Sequence, residues 1–129
     1  MIRSIHHVTL PIPPGGEAEG LAFYVDLLGL ERIPKPEPMG VTGAWLRFPD
    51  GRHIHLQADP AWKPIDPPHP ALVTDDLAGL VSRLEDAGFR FEYDDLWPGV
   101  RRGFTWDPFG NRLELMDATD LQGVFGFQP

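Results

Sequence analysis

The chain has 129 residues, the length of one ordinary domain, at which folding would bury roughly 65% of the unfolded surface. It contains no cysteine, which excludes disulfides, thiolate metal sites and cysteine nucleophiles and leaves imidazole, carboxylate and amide groups to hold any metal. Nineteen Asp and Glu against eleven Lys and Arg give a net charge of −8, which disfavours nucleic acid and anionic lipid as partners, although local arginines can still hold a small anion. No basic and apolar leader opens the sequence, and no stretch approaches the roughly eighteen apolar residues of a membrane span, so the expectation is a soluble, cytoplasmic protein without membrane association.

Residues 4–11 alternate, so Ile5, His7 and Thr9 share one face of a strand and His6, Val8 and Leu10 the other. After the connector IPPGGE, Leu21, Tyr24, Val25 and Leu28 recur at helical spacing and predict a helix of about eleven residues ended by Gly29. Residues 31–33, 44–48 and 53–57 read as strands, the last two joined by the turn PDGR, with a proline-marked loop, KPEPMG, before them. Residues 59–68 carry four prolines and form a linker. The order then returns. A short strand in HPALVT is followed by a helix capped by Asp75 or Asp76, with Leu77, Leu80, Val81 and Leu84 on one side and Gly88 at its end. Strands at 89–93, 103–106 and 112–116 complete the second half, the last two joined by DPFGN.

Spacing supports a duplication. A shift of 59 places Leu21 on Leu80, Gly29 on Gly88, Pro49 on Pro108, Gly51 on Gly110 and Leu56 on Leu115, and a shift of 62 places His7 on His69 because the first loop is three residues longer. The predicted fold class is α+β, a single domain of two βαβββ modules forming an open cleft. The first module spans 4–58 and the second 69–117, with a tail at 118–129. A helix on one face of each sheet leaves the other face free.

That free face gathers the chemistry. In RHIHLQ, His53, His55 and Gln57 oppose Ile54 and Leu56; in NRLEL, Arg112 and Glu114 oppose Leu113 and Leu115. His55 and Glu114 are equivalent positions, as are His7 and His69, which makes these four the candidate metal ligands. Burying Glu114 unpaired between leucines would be costly, and a divalent cation removes much of that cost. Imidazole with carboxylate suits Fe, Mn, Zn, Ni or Co as the divalent ion, with coordination positions left for a substrate. His55 is either a fourth ligand or a base, since imidazole exchanges a proton near neutral pH. His6, on the opposite strand face, and His53, beside a turn, are weaker candidates. Trp45 and Phe104 match under the shift, as do Arg47 and Trp106, and all share the parity of His55 and Glu114. Aromatic rings there would pack a small substrate while Arg47, Arg101 or Arg102 holds an anionic group. Each residue also has an ordinary explanation: a strand histidine bonded to a carbonyl, a glutamate paired with arginine, an aromatic side chain in the core, an arginine at the surface.

The segments IHHVTL, LAFYVDLLGL, GRHIHLQ, the histidine before PALVTDDLAGLVSRLEDAG, and DPFGNRLELMD together resemble the vicinal oxygen chelate superfamily, which unites glyoxalases, bleomycin resistance proteins and extradiol dioxygenases. The resemblance runs from Ile5 to Met116. It implies His7 as the first-strand metal ligand, His69 as the ligand opening the second module and Glu114 as the ligand in the final strand. Where bacterial glyoxalase I has Glu, this chain has His55, which departs from glyoxalase chemistry, whereas His7, His69 and Glu114 supply the two-His, one-Glu set of an extradiol dioxygenase. The implied function is a metal-dependent enzyme of glyoxalase or dioxygenase type, chelating a small oxygenated organic molecule. The alternatives are an antibiotic-sequestering protein of bleomycin-resistance type and a metal-dependent antibiotic-modifying transferase. The resemblance further implies a homodimer, in which the site lies within one chain or is shared, with His7 and His55 of one subunit meeting His69 and Glu114 of the other; the apolar GVFGFQP is either a cover for the seam or a flexible tail.

Overall fold

Period-two alternation decides which side of each strand is covered. The computed structural model describes residues 1–129, and the chain divides into two units, Met1–Ile65 and Asp66–Pro129, each built as strand, helix and three strands on one four-stranded mixed sheet. No helix is long and apolar enough to cross a membrane.

In the first unit, β1 (His7–Ile12) runs parallel to β4 (His53–Ala58), and β3 (Ala44–Arg47) and β2 (Glu31–Ile33) continue antiparallel in the order β1-β4-β3-β2. Leu10, Ile12, Leu46, Ile54 and Leu56 are at most 2% exposed and share the core with Phe23 and Tyr24 of the helical segment. Slipping β4 by one residue would turn Ile54 and Leu56 out of the core, at roughly 2 kcal/mol for each apolar side chain returned to water, and would turn His53 and His55 into the core in their place. The histidines are thereby held on the uncovered face.

The first helix departs from the predicted stripe. It begins as α1 (Glu17–Leu21) and widens into a π-helical turn (Ala22–Leu27), where the Leu28 N–H donates to the Phe23 carbonyl, five residues back, at 3.0 Å. Phe23 and Tyr24 are neighbours in sequence, and both are fully buried. A 3.6-residue period turns consecutive side chains about 100° apart; the wider turn accommodates both rings against the sheet.

The second unit follows the same plan with β5 (Ala71–Thr74), α2 (Leu77–Asp86), β6 (Phe91–Tyr93), β7 (Arg102–Trp106) and β8 (Arg112–Asp117), in the order β5-β8-β7-β6. Asp76 is the N-cap, its carboxylate accepting the Gly79 N–H at 2.9 Å, and Leu77, Val81 and Leu84 face β6 and β8. Leu113, Leu115 and Thr105 fill the space beneath them. A short helix, α3 (Ala118–Leu121), follows β8, and its Leu121 packs with Val100, Met116 and Trp97.

The two hairpin turns have matched construction. Gly51 and Gly110 sit at φ +88° and +86°, in a region that suits glycine, and Asp50 and Asp107 each accept backbone N–H groups across their turns. These turns fix the register that sets Trp45 opposite His55 and Phe104 opposite Glu114, so the equivalence read from the sequence spacing holds in the strand pairing.

Candidate functional site

In the first unit the parallel pairing sets His7 opposite His53 and Thr9 opposite His55, and the His53 N–H donates to the His6 carbonyl at 3.0 Å. The His7 ring stacks on His55 with centroids 4.0 Å apart, and His55 stacks on the Trp45 indole at 4.2 Å with the planes 1° from parallel. His53 Nδ1 lies 3.2 Å from His55 Nε2, and His6 Nδ1 lies 3.0 Å from His7 Nδ1. Strand alternation predicts His6 on the far face; because regular pairing begins only at His7, the His6 ring instead lies 4.8 Å from that of His53. Four imidazoles therefore touch in sequence, and each close nitrogen pair can hold only one proton between its members. Burial first, then the charges His7, His53 and His6 would carry, lower the His55 pKa from 6.5 to about 4. His53 is lowered too, by burial and then by His6. A cavity of about 430 Å³ opens over this face, lined by His7, Thr9, Lys35, Trp45, His55 and Gln57 among others. Lys35 belongs to the KPEPMG loop, where no periodicity could have marked it, and its ammonium donates to the Thr42 carbonyl. Arg47, on the same sheet face, is 45% exposed and pairs with Glu31 at 2.8 Å.

In the second unit the Glu114 N–H donates to the Pro70 carbonyl at 3.0 Å, which draws Glu114 alongside His69. His69 Nδ1 is 2.9 Å from the Pro67 carbonyl. A carbonyl can only accept, so Nδ1 carries the hydrogen and the neutral ring has its lone pair on Nε2. Nε2 faces Glu114 Oε2 across 4.0 Å. The other Glu114 oxygen accepts from Arg102 Nη1, and Arg102 Nη2 donates to Asp94 at 2.9 Å. Arg102 and Glu114 side chains are only 11% and 12% exposed. Phe104 meets His69 edge to face at 5.1 Å, and the Arg112 guanidinium lies 3.9 Å over the Phe104 ring. Trp106 is covered by Arg90 at 3.6 Å and donates its indole N–H to Asp66 at 2.9 Å. Arg101 is tied to α3 through Asp120 at 2.8 Å and to the end of β8 through Asp117 at 3.3 Å, and is 61% exposed. A cavity of about 400 Å³ is lined by Tyr93, Asp94, Asp95, Arg101 and Arg102. Asp94 and Arg112 escaped sequence reasoning as site residues, although Arg112 shares the parity of Glu114.

The four predicted ligands fall two to each unit, and no group of three or more histidine or acidic side chains is assembled in an arrangement able to hold a metal ion. The donors themselves suit a borderline divalent ion. His69 has the anchored Nδ1–H and open Nε2 usual for a metal-bound imidazole, His55 is held neutral, and Glu114 keeps one oxygen clear of Arg102.

The sequence model of the Glyoxalase/Bleomycin resistance protein/Dioxygenase superfamily matches residues 4–115. The chain belongs to that superfamily. A glyoxalase family protein from Bacillus anthracis is 34% identical over 91% of this chain and 96% of its own, with a TM-score of 0.84. At lower identity the fold alone is shared. A glyoxalase/dioxygenase from Nostoc punctiforme is 21% identical over 89% of this chain and 90% of its own, with a TM-score of 0.75. A fosfomycin resistance protein from Listeria monocytogenes is 16% identical over 91% and 94%, with a TM-score of 0.72. No protein of curated function matches the sequence. The superfamily is rich in enzymes acting on small organic molecules, and many of its members bind divalent metals.

Proposed function

We propose that the chain is a metal-dependent enzyme of glyoxalase or dioxygenase type, acting on a small oxygenated organic molecule, with His7, His69 and Glu114 holding a divalent ion. The observation that supports this reading is the His69–Glu114 pair: with Nδ1 turned to the Pro67 carbonyl, Nε2 is the ring nitrogen left facing Glu114 Oε2, at 4.0 Å, an arrangement that a cation between them would stabilise. Bound there, the ion would supply Lewis-acid polarisation of neighbouring substrate oxygens. The chain's own residues do the rest. Trp45 and Phe104 offer flat apolar surfaces beside the ligands, and Lys35 and Arg102 offer charge near an anionic group. The low pKa of His55 makes it a weak base near neutral pH and a good neutral ligand, which favours His55 as the fourth ligand over the proton acceptor.

The four proposed ligands fall two to each unit, so the proposed centre draws its donors from one unit of each kind. We place the two kinds in different chains of a homodimer. Mixing H7A/H55A chains with H69A/E114A chains tests this, because only a shared centre regains an intact ligand set in the mixed dimer. Recovery of metal binding on mixing is expected; none would place the centre elsewhere. A metal-soaked crystal with an anomalous peak beside His7, His69 and Glu114 is the expected result for the ion itself.

One observation favours a second reading, a binding protein that sequesters a small molecule without turnover. Arg102 already neutralises Glu114, which a metal-free binding cleft would need. Full affinity for a ligand after His7, His69 and Glu114 are replaced together would select that reading.

A further inference from the structure

The cavity of the first unit has a sign opposite to that of the chain. The protein carries a net charge of −8, yet no Asp or Glu lines this cavity, and Lys35 is the one Lys or Arg that does. The Lys35 ammonium donates to the Thr42 carbonyl. That acceptor is neutral and occupies one of three N–H donors, so the charge and the remaining donors are left for another group. Arg47 and Arg52, by contrast, each meet a carboxylate, Glu31 at 2.8 Å and Asp50 at 2.9 Å. Glu17 acts on Lys35 only across space; its carboxylate accepts the Gly43 N–H at 2.9 Å and lies outside the lining.

The loop that carries Lys35 is fastened at both ends. Lys35 and Thr42 clasp it, and Gly43 sits at φ +74°, so close to β4 that a Cβ there would fall 2.1 Å from the Leu56 carbonyl oxygen. The half-buried Lys35 is thereby held at the cavity wall, which lowers the ordering cost of gripping an anion. Trp45 and His55, stacked at 4.2 Å, line the same cavity, as does His7. A compact ammonium beside walls of low dielectric, with no fixed counter-charge in the lining, attracts a small anion.

We propose that Lys35 sets the specificity of this cavity, and that the molecule accepted there is a small organic acid whose carboxylate lies on the Lys35 ammonium and whose body lies along Trp45. The inference rests on this face being the substrate face of the proposed function, and it requires no bound metal.

Benzoate and its neutral counterpart benzamide serve as probes, titrated by calorimetry into the metal-free chain at about pH 8, where ordinary imidazoles are neutral and an ammonium keeps its charge. The wild type is expected to bind benzoate roughly tenfold more tightly than benzamide. Benzoate should also move the Trp45 indole N–H resonance, assigned through W45F. K35Q, which keeps a donor for the Thr42 carbonyl without the charge, should erase the preference, and K35R should retain it. A preference that survives K35Q would mean that Lys35 only closes its loop, and it would overturn the proposal. So would a wild type without the preference, or benzoate binding that leaves the Trp45 resonance unmoved. Zinc affinity should be the same in K35Q as in the wild type. A wild type that prefers benzoate but binds no zinc counts against the metal reading and supports the anchor.

Discussion

The two units share a fold and a register, yet their uncovered faces solve opposite electrostatic problems. The first carries four imidazoles in contact, with no carboxylate among them, and burial together with the neighbouring imidazoles lowers the pKa of His55 and of His53. The second sets one imidazole beside Glu114, Asp94 and three arginines, and keeps them in place by ion pairing and by stacking on Phe104 and Trp106. Duplication fixed where the side chains point; what stands at those positions is free to diverge. The first face offers imidazole nitrogens alone, and the second offers an acidic oxygen donor already paired with Arg102.

The largest expected effect breaks the second face. R102M strands Glu114 and Asp94 with Glu114 nearly buried, and urea denaturation should show a loss of about 3 kcal/mol. Adding E114Q should recover a good part of it, and a double variant no better than R102M would deny that the pair is coupled. The next effect sharpens the first face. The His55 pKa is lower in the folded chain than in the unfolded one, so the unfolded state binds more protons between the two values. Stability from this residue is fully present above pH 6.5 and is lost as pH falls towards about 4, by up to roughly 3 kcal/mol. The metal-free H55Q variant should show a shallower fall over that window; identical pH profiles would mean the histidine stack is not desolvated. A smaller effect lies outside both faces: D76A should cost about 1 kcal/mol by removing the cap of α2, read as a lower denaturation midpoint. Last, D120A, which frees the exposed Arg101, should leave the midpoint unchanged, and a clear shift would make that ion pair more than a surface contact.

Much of this contrast is legible in the sequence. The shift of 59 residues predicts which strand residues correspond, and the pairing of Trp45 with His55 and of Phe104 with Glu114 follows that rule. Parity along β4 and β8 is a property of the backbone, so it needs no knowledge of partners. The π-helical turn is not legible, because it arises from two adjacent aromatic rings competing for one core. Nor is the placement of His6, which depends on where strand pairing starts. Arg102 and Arg112 differ only in what their guanidinium groups reach, and that is decided by long side chains spanning two strands and a loop. Lys35 reaches the cavity from an irregular loop, where no period applies.

The central proposal is that His7, His69 and Glu114 hold one divalent ion. Calorimetric titration of zinc into the metal-stripped chain tests it most directly, comparing wild type with H7A/H69A/E114Q. The account predicts saturable binding by the wild type and affinity lowered by more than about a hundredfold in the folded triple variant; undiminished affinity in that variant would contradict it.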